Sequence, residues 1–294
     1  MLTCPMTESE FAALSRVVGA RSGIALDAVR KGVVESRLSR RVEELGLENF
    51  GQYLALLTTG PYQDEEFDEL LSRLNMQETS FWRAPGQLDY FENVVLARLI
   101  AARNHIKRLR IWCAGCASGE EPYTIAIQVH RTLGVRLADW RIEILGTDVC
   151  EHPLLVAQAG RYTSFSFRSI SPLLVKRYFR EELGAFHLDP TIQSLVGFEQ
   201  HDLREEIESR RHGVWDAIFC RNVLGFFDPD SRREALGMFR AQLAGEGALF
   251  ISPGELAMLS AEQWAQGGLA PVEDPDAAAL VPAGTSSEAF RLHR

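Results

Sequence analysis

Two acids in tandem, Glu120 and Glu121, follow a loop of small residues in the stretch Arg110-Ile111-Trp112-Cys113-Ala114-Gly115-Cys116-Ala117-Ser118-Gly119-Glu120-Glu121-Pro122-Tyr123. An apolar run precedes the loop and another follows it. That order of strand, tight turn and helix opens a nucleotide-binding α/β unit. Small residues such as Ala114 and Gly115 let the backbone come close to a ligand. The loop does not read G-x-G-x-x-G, and carboxylates at a helix start are wrong for a pyrophosphate. They suit a cofactor with hydroxyls or a positive charge. S-adenosylmethionine meets that description; NAD and ATP do not, which disfavours an NAD-dependent oxidoreductase.

Other polar residues fall where strands should end. Asp148 closes Leu145-Gly146-Thr147-Asp148. An acid there can accept hydrogen bonds from both ribose hydroxyls, or it can cap the helix that follows. One of Glu120 and Glu121 can satisfy the helix N-terminus while the other, Glu121 by preference, reaches the ligand. Asp202 lies in the loop after a strand at 196–198. Arg221-Asn222 lies beyond the buried run Ala217-Ile218-Phe219 and is not core, although Asn222 could make a turn and Arg221 could pair with a surface acid. Gln77-Glu78-Thr79-Ser80-Phe81-Trp82-Arg83 is either a plain linker with docked aromatics or a segment folded over the cofactor with Arg83 at the reacting centre. Cys113 and Cys116 form a C-x-x-C, but no second ligand pair accompanies it, so two small residues filling a tight loop is the preferred reading.

The elements that must hold these residues fall into two groups. Up to about residue 74 the apolar residues recur at helical spacing: Phe11, Leu14, Val17 and Val18; then Val33, Val34, Leu38, Val42 and Leu45; then Phe50, Tyr53, Leu54 and Leu57; then Phe67, Leu70, Leu71 and Leu74. This predicts a small helical bundle, with its linker a domain over 1–84. A long amphipathic helix is expected over 88–103. Strands at 109–113, 141–146, 217–220 and 248–252 then alternate with helices at 125–133, 153–159 and 231–243. That pattern predicts a doubly wound, Rossmann-like α/β domain over 85–294, with its ligand beyond the carboxyl ends of the strands. Short strands around Phe186, Leu188, Ile192, Leu195 and Val196 predict a small β insert near 180–198. The Ala/Gly/Pro-rich stretch 267–287 is expected to be loop-heavy, with a last antiparallel strand at 289–292.

The chain of 294 residues has 31 Lys+Arg against 40 Asp+Glu, a net charge of −9, which disfavours nucleic-acid binding. No apolar run approaches a membrane span and no signal peptide precedes the first helix. The odd number of cysteines, 5, reads as free thiols in a reducing cytoplasm.

Several of these stretches, in this order and spacing, match one family. The chain resembles the CheR-type methyltransferases, which transfer a methyl group from S-adenosylmethionine to glutamate side chains of chemotaxis receptors, leaving S-adenosylhomocysteine. The resemblance runs through Gly23-Ile24-Ala25-Leu26, Arg37-Leu38-Ser39-Arg40-Arg41, Glu78-Thr79-Ser80-Phe81-Trp82-Arg83, Trp112 to Tyr123, Thr147-Asp148, and Ile218-Phe219-Cys220-Arg221-Asn222-Val223-Leu224. It implies cofactor contacts from Thr79, Arg83, Glu121, Asp148, Leu203, Arg221 and Asn222. It implies two more from Gln77 and Asp202, which stand where the family usually has asparagine. Phe226 stands where the family has a tyrosine near the substrate carboxylate, and Gly225 where it has a larger apolar residue. Arg83 is the candidate for orienting that carboxylate. Arg37, Arg40 and Arg41 could face an acidic helix in the cytoplasmic region of a receptor. The insert looks too short to grip a receptor tail. The expected protein is a cytoplasmic monomer with no membrane insertion. The four departures also motivate an alternative, a protein that binds the cofactor and regulates without transferring methyl groups.

Overall fold

The computed structural model describes residues 5–26, 28–59, 61–74, 79–205, 213–274 and 276–285. Helix α1 (Glu8–Ser22) starts at a capping box, with Thr7 and Glu10 satisfying each other's backbone N–H, and stops at Gly23 in the left-handed conformation. It packs with α2 (Lys31–Glu44), α3 (Phe50–Thr59) and α4 (Gln63–Arg73). Their apolar stripes meet in one core around Leu14, Val18, Leu38, Tyr53 and Leu70. Cys150 is buried in the same core, and Val149 and Phe226 pack against it. The bundle therefore rests on the loops of the second domain.

The expected long helix is present but not uniform. Pro85 sits in the first turn of α5 (Pro85–Tyr90), residues Phe91–Leu96 widen into π geometry, and α6 (Ala97–Arg103) resumes the regular helix.

A seven-stranded sheet follows, in the order β6-β2-β1-β7-β8-β10-β9. Its strands are β1 (Arg108–Ala114), β2 (Arg141–Asp148), β6 (Val196–Gln200), β7 (Trp215–Phe219), β8 (Leu243–Phe250), β9 (Leu269–Pro271) and β10 (Ala279–Pro282). The first five pair in parallel, while β10 pairs antiparallel with both β8 and β9. Along β1 the side chains alternate between faces. Ile111 and Cys113 join one core, with α7 (Glu120–Leu133) and the 85–103 helix, while Trp112 and Ala114 join the other, with the helix Pro229–Gln242. The chain runs outward from β1 to β2 and β6, then returns to place β7 on the other side of β1. This reversal is the switch point at which a crevice opens beyond the strand ends.

Two sequence expectations are corrected. Within 267–287, expected to be loop-heavy, the chain also forms the short strands β9 and β10. The run Ala277-Ala278-Ala279-Leu280-Val281 is almost fully buried, and its small side chains suit a strand packed on both faces. The expected strand at 289–292 lies outside the described residues. In the insert, β3 (Arg161–Tyr162), β5 (Ala185–Leu188) and β4 (Phe179–Glu182) make a three-stranded antiparallel sheet. Ile192, however, lies in a short helix capped by Asp189, and Val196 begins β6 of the main sheet.

Candidate functional site

The loop after β1 is shaped by contacts that exclude side chains. Gly115 and Cys116 both donate their backbone N–H to the Thr147 carbonyl at 2.8 Å. Gly115 has φ +72°, and a Cβ there would overlap the Val223 methyl Cγ2. At Gly119, with φ +87°, a Cβ would lie 2.6 Å from Ala157 Cβ. Asp148, at the end of β2, accepts from Ala117 N at 2.8 Å through Oδ2 and from Cys150 N at 3.0 Å through Oδ1. The Val149 backbone N–H bonds the same carboxylate, and of its roughly four lone-pair sites one stays free. Burial pushes this carboxyl above its ordinary range, against the opposing effect of the backbone N–H bonds.

Glu120 and Glu121 diverge, as the tandem allows. Glu120 turns inward, accepting from Ser118 Oγ at 2.7 Å and Ser166 Oγ at 2.9 Å. Its burial raises its pKa. The sign follows: a carboxyl raised by folding contributes stability that is present in acid and lost as pH rises through the folded value. Glu120→Gln keeps the shape, and both hydroxyls can bond the amide. It is therefore expected to raise the melting temperature by a few degrees at neutral pH, with the gain vanishing in acid. A thermal melt series across pH checks this.

Glu121 faces the cavity but is not alone there. Its Oε2 accepts from Arg221 Nε, and the two side chains are 11% and 5% exposed. Arg221 Nη1 also donates to the Arg83 carbonyl at 2.8 Å and to Gln87 Oε1 at 3.1 Å. Arg221 thus pairs with a buried acid, not the surface acid that sequence offered as one alternative. Gln87 was missed. It is 3% exposed, and its amide donates to the carbonyls of Ile251, Ala277 and Ala278. A glutamine on an apolar helix face is the signal that could have found it.

The linker is docked and also reaches the cavity. Phe81 stacks on Phe167 at 5.2 Å and meets Tyr162 edge-on at 4.9 Å. Its backbone N–H donates to the Ser166 carbonyl at 2.9 Å. Trp82 and Ala84, on either side of Arg83, have φ of +58° and +57°. This left-handed geometry is costly outside glycine and is held here by tertiary contacts. It turns the chain so that Thr79 and Arg83 line the cavity. Gln77 lies outside the described residues.

Beyond β6 the wall continues with His201, Asp202 and Leu203, and beyond β7 with Arg221, Asn222, Val223 and Phe226. Asn222 has φ +63°. Its N–H and that of Gly225 donate to the two carboxylate oxygens of Glu255, at 2.8 and 3.1 Å. Glu255 was also missed, although Ser252-Pro253-Gly254-Glu255 is a capping-box spacing. The helical bundle closes the hollow with Ser22, Ile24 and Leu71. It is fastened there by Ala25 N–H donating to the Phe226 carbonyl at 2.6 Å and by an Ile24–Phe227 bridge.

The resulting cavity, of about 280 Å³, draws Thr79, Arg83, Gly115, Glu121, Asp148, Asp202, Leu203, Arg221, Asn222 and Phe226 into one hollow. Ala114 is not part of this wall; its side chain is buried between Trp112 and its neighbours on one face of the sheet. The hollow fits an adenosyl-sulfonium compound on the chemistry of its donors. A buried carboxylate with a lone pair to spare suits a ribose hydroxyl, and Gly115 gives backbone access where a Cβ has no room. Cys113 and Cys116 are free, and burial pushes both thiols well up. Among the described residues no cluster of three or more His, Cys, Asp or Glu could hold a metal.

The basic residues of α2 lie apart from the cavity. Arg41 and Arg37 share a face, as their spacing requires, but that face turns toward α4. Arg41 makes a forked pair with Glu66 at 2.5–3.2 Å, and Tyr53 donates to the same carboxylate at 2.8 Å. The bond to Glu66 raises the Arg41 pKa, and burial raises that of Tyr53. Arg37 donates to the Leu74 carbonyl. Arg40 stays in solvent beside Glu44, its side chain 83% exposed.

Comparison with known proteins agrees with this architecture. Residues 9–74 match the model of the CheR methyltransferase all-alpha domain, and residues 77–267 match that of the CheR methyltransferase SAM binding domain. A probable chemotaxis protein methyltransferase of Rhizobium etli is 32% identical over 238 residues, 80% of this chain and 87% of that protein. The chemotaxis protein methyltransferase of Salmonella typhimurium is 30% identical over 253 residues, 85% of this chain and 84% of that protein. That of Borreliella burgdorferi is 29% identical, with 86% and 90% covered. The chain belongs to the CheR methyltransferase family, the S-adenosylmethionine-dependent methyltransferases that join an all-helical domain to a Rossmann-like one.

Proposed function

We propose that this protein methylates glutamate side chains in the cytoplasmic helical region of a chemoreceptor, forming the γ-methyl ester. The observation that carries this reading is the meeting of Arg83, Asp148 and the Glu121–Arg221 pair in one hollow roofed by the helical bundle. Bound S-adenosylmethionine supplies a methyl group already activated by its sulfonium. A glutamate carboxylate, with a pKa near ~4.3, is already a nucleophile, so the chain needs no general base. Its residues hold and orient. Asp148 offers its free lone pair to a ribose hydroxyl. Arg83, a planar fork of donors, orients the incoming carboxylate. Arg221 fixes the Arg83 backbone through its carbonyl. Close walls exclude water from the transfer. Arg40 is the part of the basic helix open to an acidic receptor helix. The test is incubation with radiolabelled donor and receptor fragments; absence of base-labile label on every receptor of the host sinks the reading.

One observation favours a second reading, a donor-binding regulator without turnover. Phe226 packs toward the helical core, and the family's tyrosine hydroxyl is missing there. Phe226→Tyr separates the two. Under the enzyme reading the native chain turns over within about tenfold of the variant, the worth of one hydrogen bond. Under the regulator reading only the variant turns over.

A further inference from the structure

Arg204 ties together two stretches of cavity wall that belong to different domains. Its backbone N–H and Nε donate to Asp202 Oδ1 at 2.9 and 3.1 Å, and its Nη2 donates to Oδ2 at 2.6 Å. The same guanidinium reaches the end of α1. There Nη1 donates to the Ala20 carbonyl at 3.0 Å, and Nη2 to the Arg21 carbonyl. Carbonyls in a last helical turn lack intrahelical partners and carry the negative end of the helix dipole, so a cation fits them. Gly23 makes the room: a Cβ at that position would lie 2.9 Å from Arg204 Cδ. Asp202 and Leu203 on one side, and Ser22 and Ile24 on the other, line the cavity on either side of this strap.

We propose that Arg204 is a positioning residue for the base of the methyl donor, holding Asp202 as a fixed hydrogen-bond acceptor and anchoring that acceptor to α1. This rests on the donor-site reading above. If Asp148 at the end of β2 takes the ribose, the base lies toward the end of β6, the next strand outward, where Leu203, Val149 and Leu71 offer apolar surface to a flat ring. An ionised aspartate can only accept. Placed against the substituent at C6, it selects a 6-amino purine, which donates there, over a 6-oxo purine, which presents an oxygen. An aspartate near the base needs a cationic partner to keep it from turning out to water, and Arg204 supplies it.

The experiment is calorimetric titration of the full chain with S-adenosylhomocysteine and with its 6-oxo counterpart, S-inosylhomocysteine. The native chain is expected to prefer the amino compound by at least about tenfold. Arg204→Gln is expected to weaken the amino compound about tenfold and the oxo compound less, narrowing the preference. Adding Asp202→Asn to it should recover most of the amino-compound affinity without the preference, because an amide can present either its oxygen or its NH2. If Arg204→Gln does not fold, Asp202→Asn alone gives the same reading: affinity kept, preference lost. Unchanged constants in Arg204→Gln, or equal losses for both compounds, overturn the proposal; a purely structural role would lower the melting temperature and leave the preference intact. A native chain that binds neither compound overturns the donor-site reading itself.

Discussion

Arg221→Met is expected to destabilise the fold by about 3–5 kcal/mol and to remove donor binding, because it leaves a buried carboxylate without its cation. Glu121 has its side chain 11% exposed and relies on Arg221 Nε. The same substitution takes the donor from Gln87 Oε1 and from the Arg83 carbonyl, both inside the wall. Unsatisfied buried acceptors add to the loss. The left-handed turn around Arg83 is held partly by that carbonyl bond and would relax, carrying Arg83 from the cavity. The double substitution Arg221→Met with Glu121→Leu should recover much of the stability, since an apolar pair can replace a buried ion pair, but not the donor affinity. Urea unfolding and titration with S-adenosylhomocysteine read the two effects separately. A single variant within about 1 kcal/mol of the native chain would falsify the view that this pair organises the wall.

The contrast between Arg221 and Asp148 shows what the sequence could reveal. Both stood at the ends of apolar runs, and the rule that ligands lie beyond parallel strand ends was enough to mark them. The pairing of Arg221 with Glu121 could not be read the same way. Glu121 is 100 residues away along the chain, and the pairing exists because β1 and β7 are neighbours across the switch point. The main strands and helices were legible because buried parallel strands are unbroken apolar runs and their covering helices keep a 3.6-residue stripe. β10 was not, because Ala279-Leu280-Val281-Pro282 is too short to show alternation, has one β-branched residue and ends in proline. The arginines of α2 mark a different limit. Spacing put Arg37 and Arg41 on one face, but no pattern within a single helix says whether that face meets solvent or, as here, Glu66 of a neighbouring helix.

Asp148→Asn should weaken donor binding by about two orders of magnitude while leaving a folded protein, because hydrogen bonds to a charged acceptor are each worth about 1.5–3 kcal/mol. Of the roughly four lone-pair sites of the native carboxylate, the backbone N–H groups of Ala117, Cys150 and Val149 take three, which leaves one for a ligand. An amide has a single oxygen for these three backbone donors and must turn its NH2 toward at least one of them, so no acceptor is left for the cavity. pH separates this from a general loss of structure. Burial raises the Asp148 carboxyl, so its contribution to folding is fully present below the ordinary carboxylate range and lost as pH rises through the folded value. Donor binding must run the other way: hydroxyls donate to the ionised form, so affinity falls as pH drops through that raised value, and binding near it releases a proton. Titration of S-adenosylhomocysteine across the acid range, in buffers of different ionisation enthalpy, measures both. The native chain should lose affinity in acid and release protons, whereas Asp148→Asn should bind weakly with neither dependence. An acid limb that survives in Asp148→Asn would move the ribose acceptor to another carboxylate, with Glu121 and Asp202 the other two on the cavity wall among the described residues.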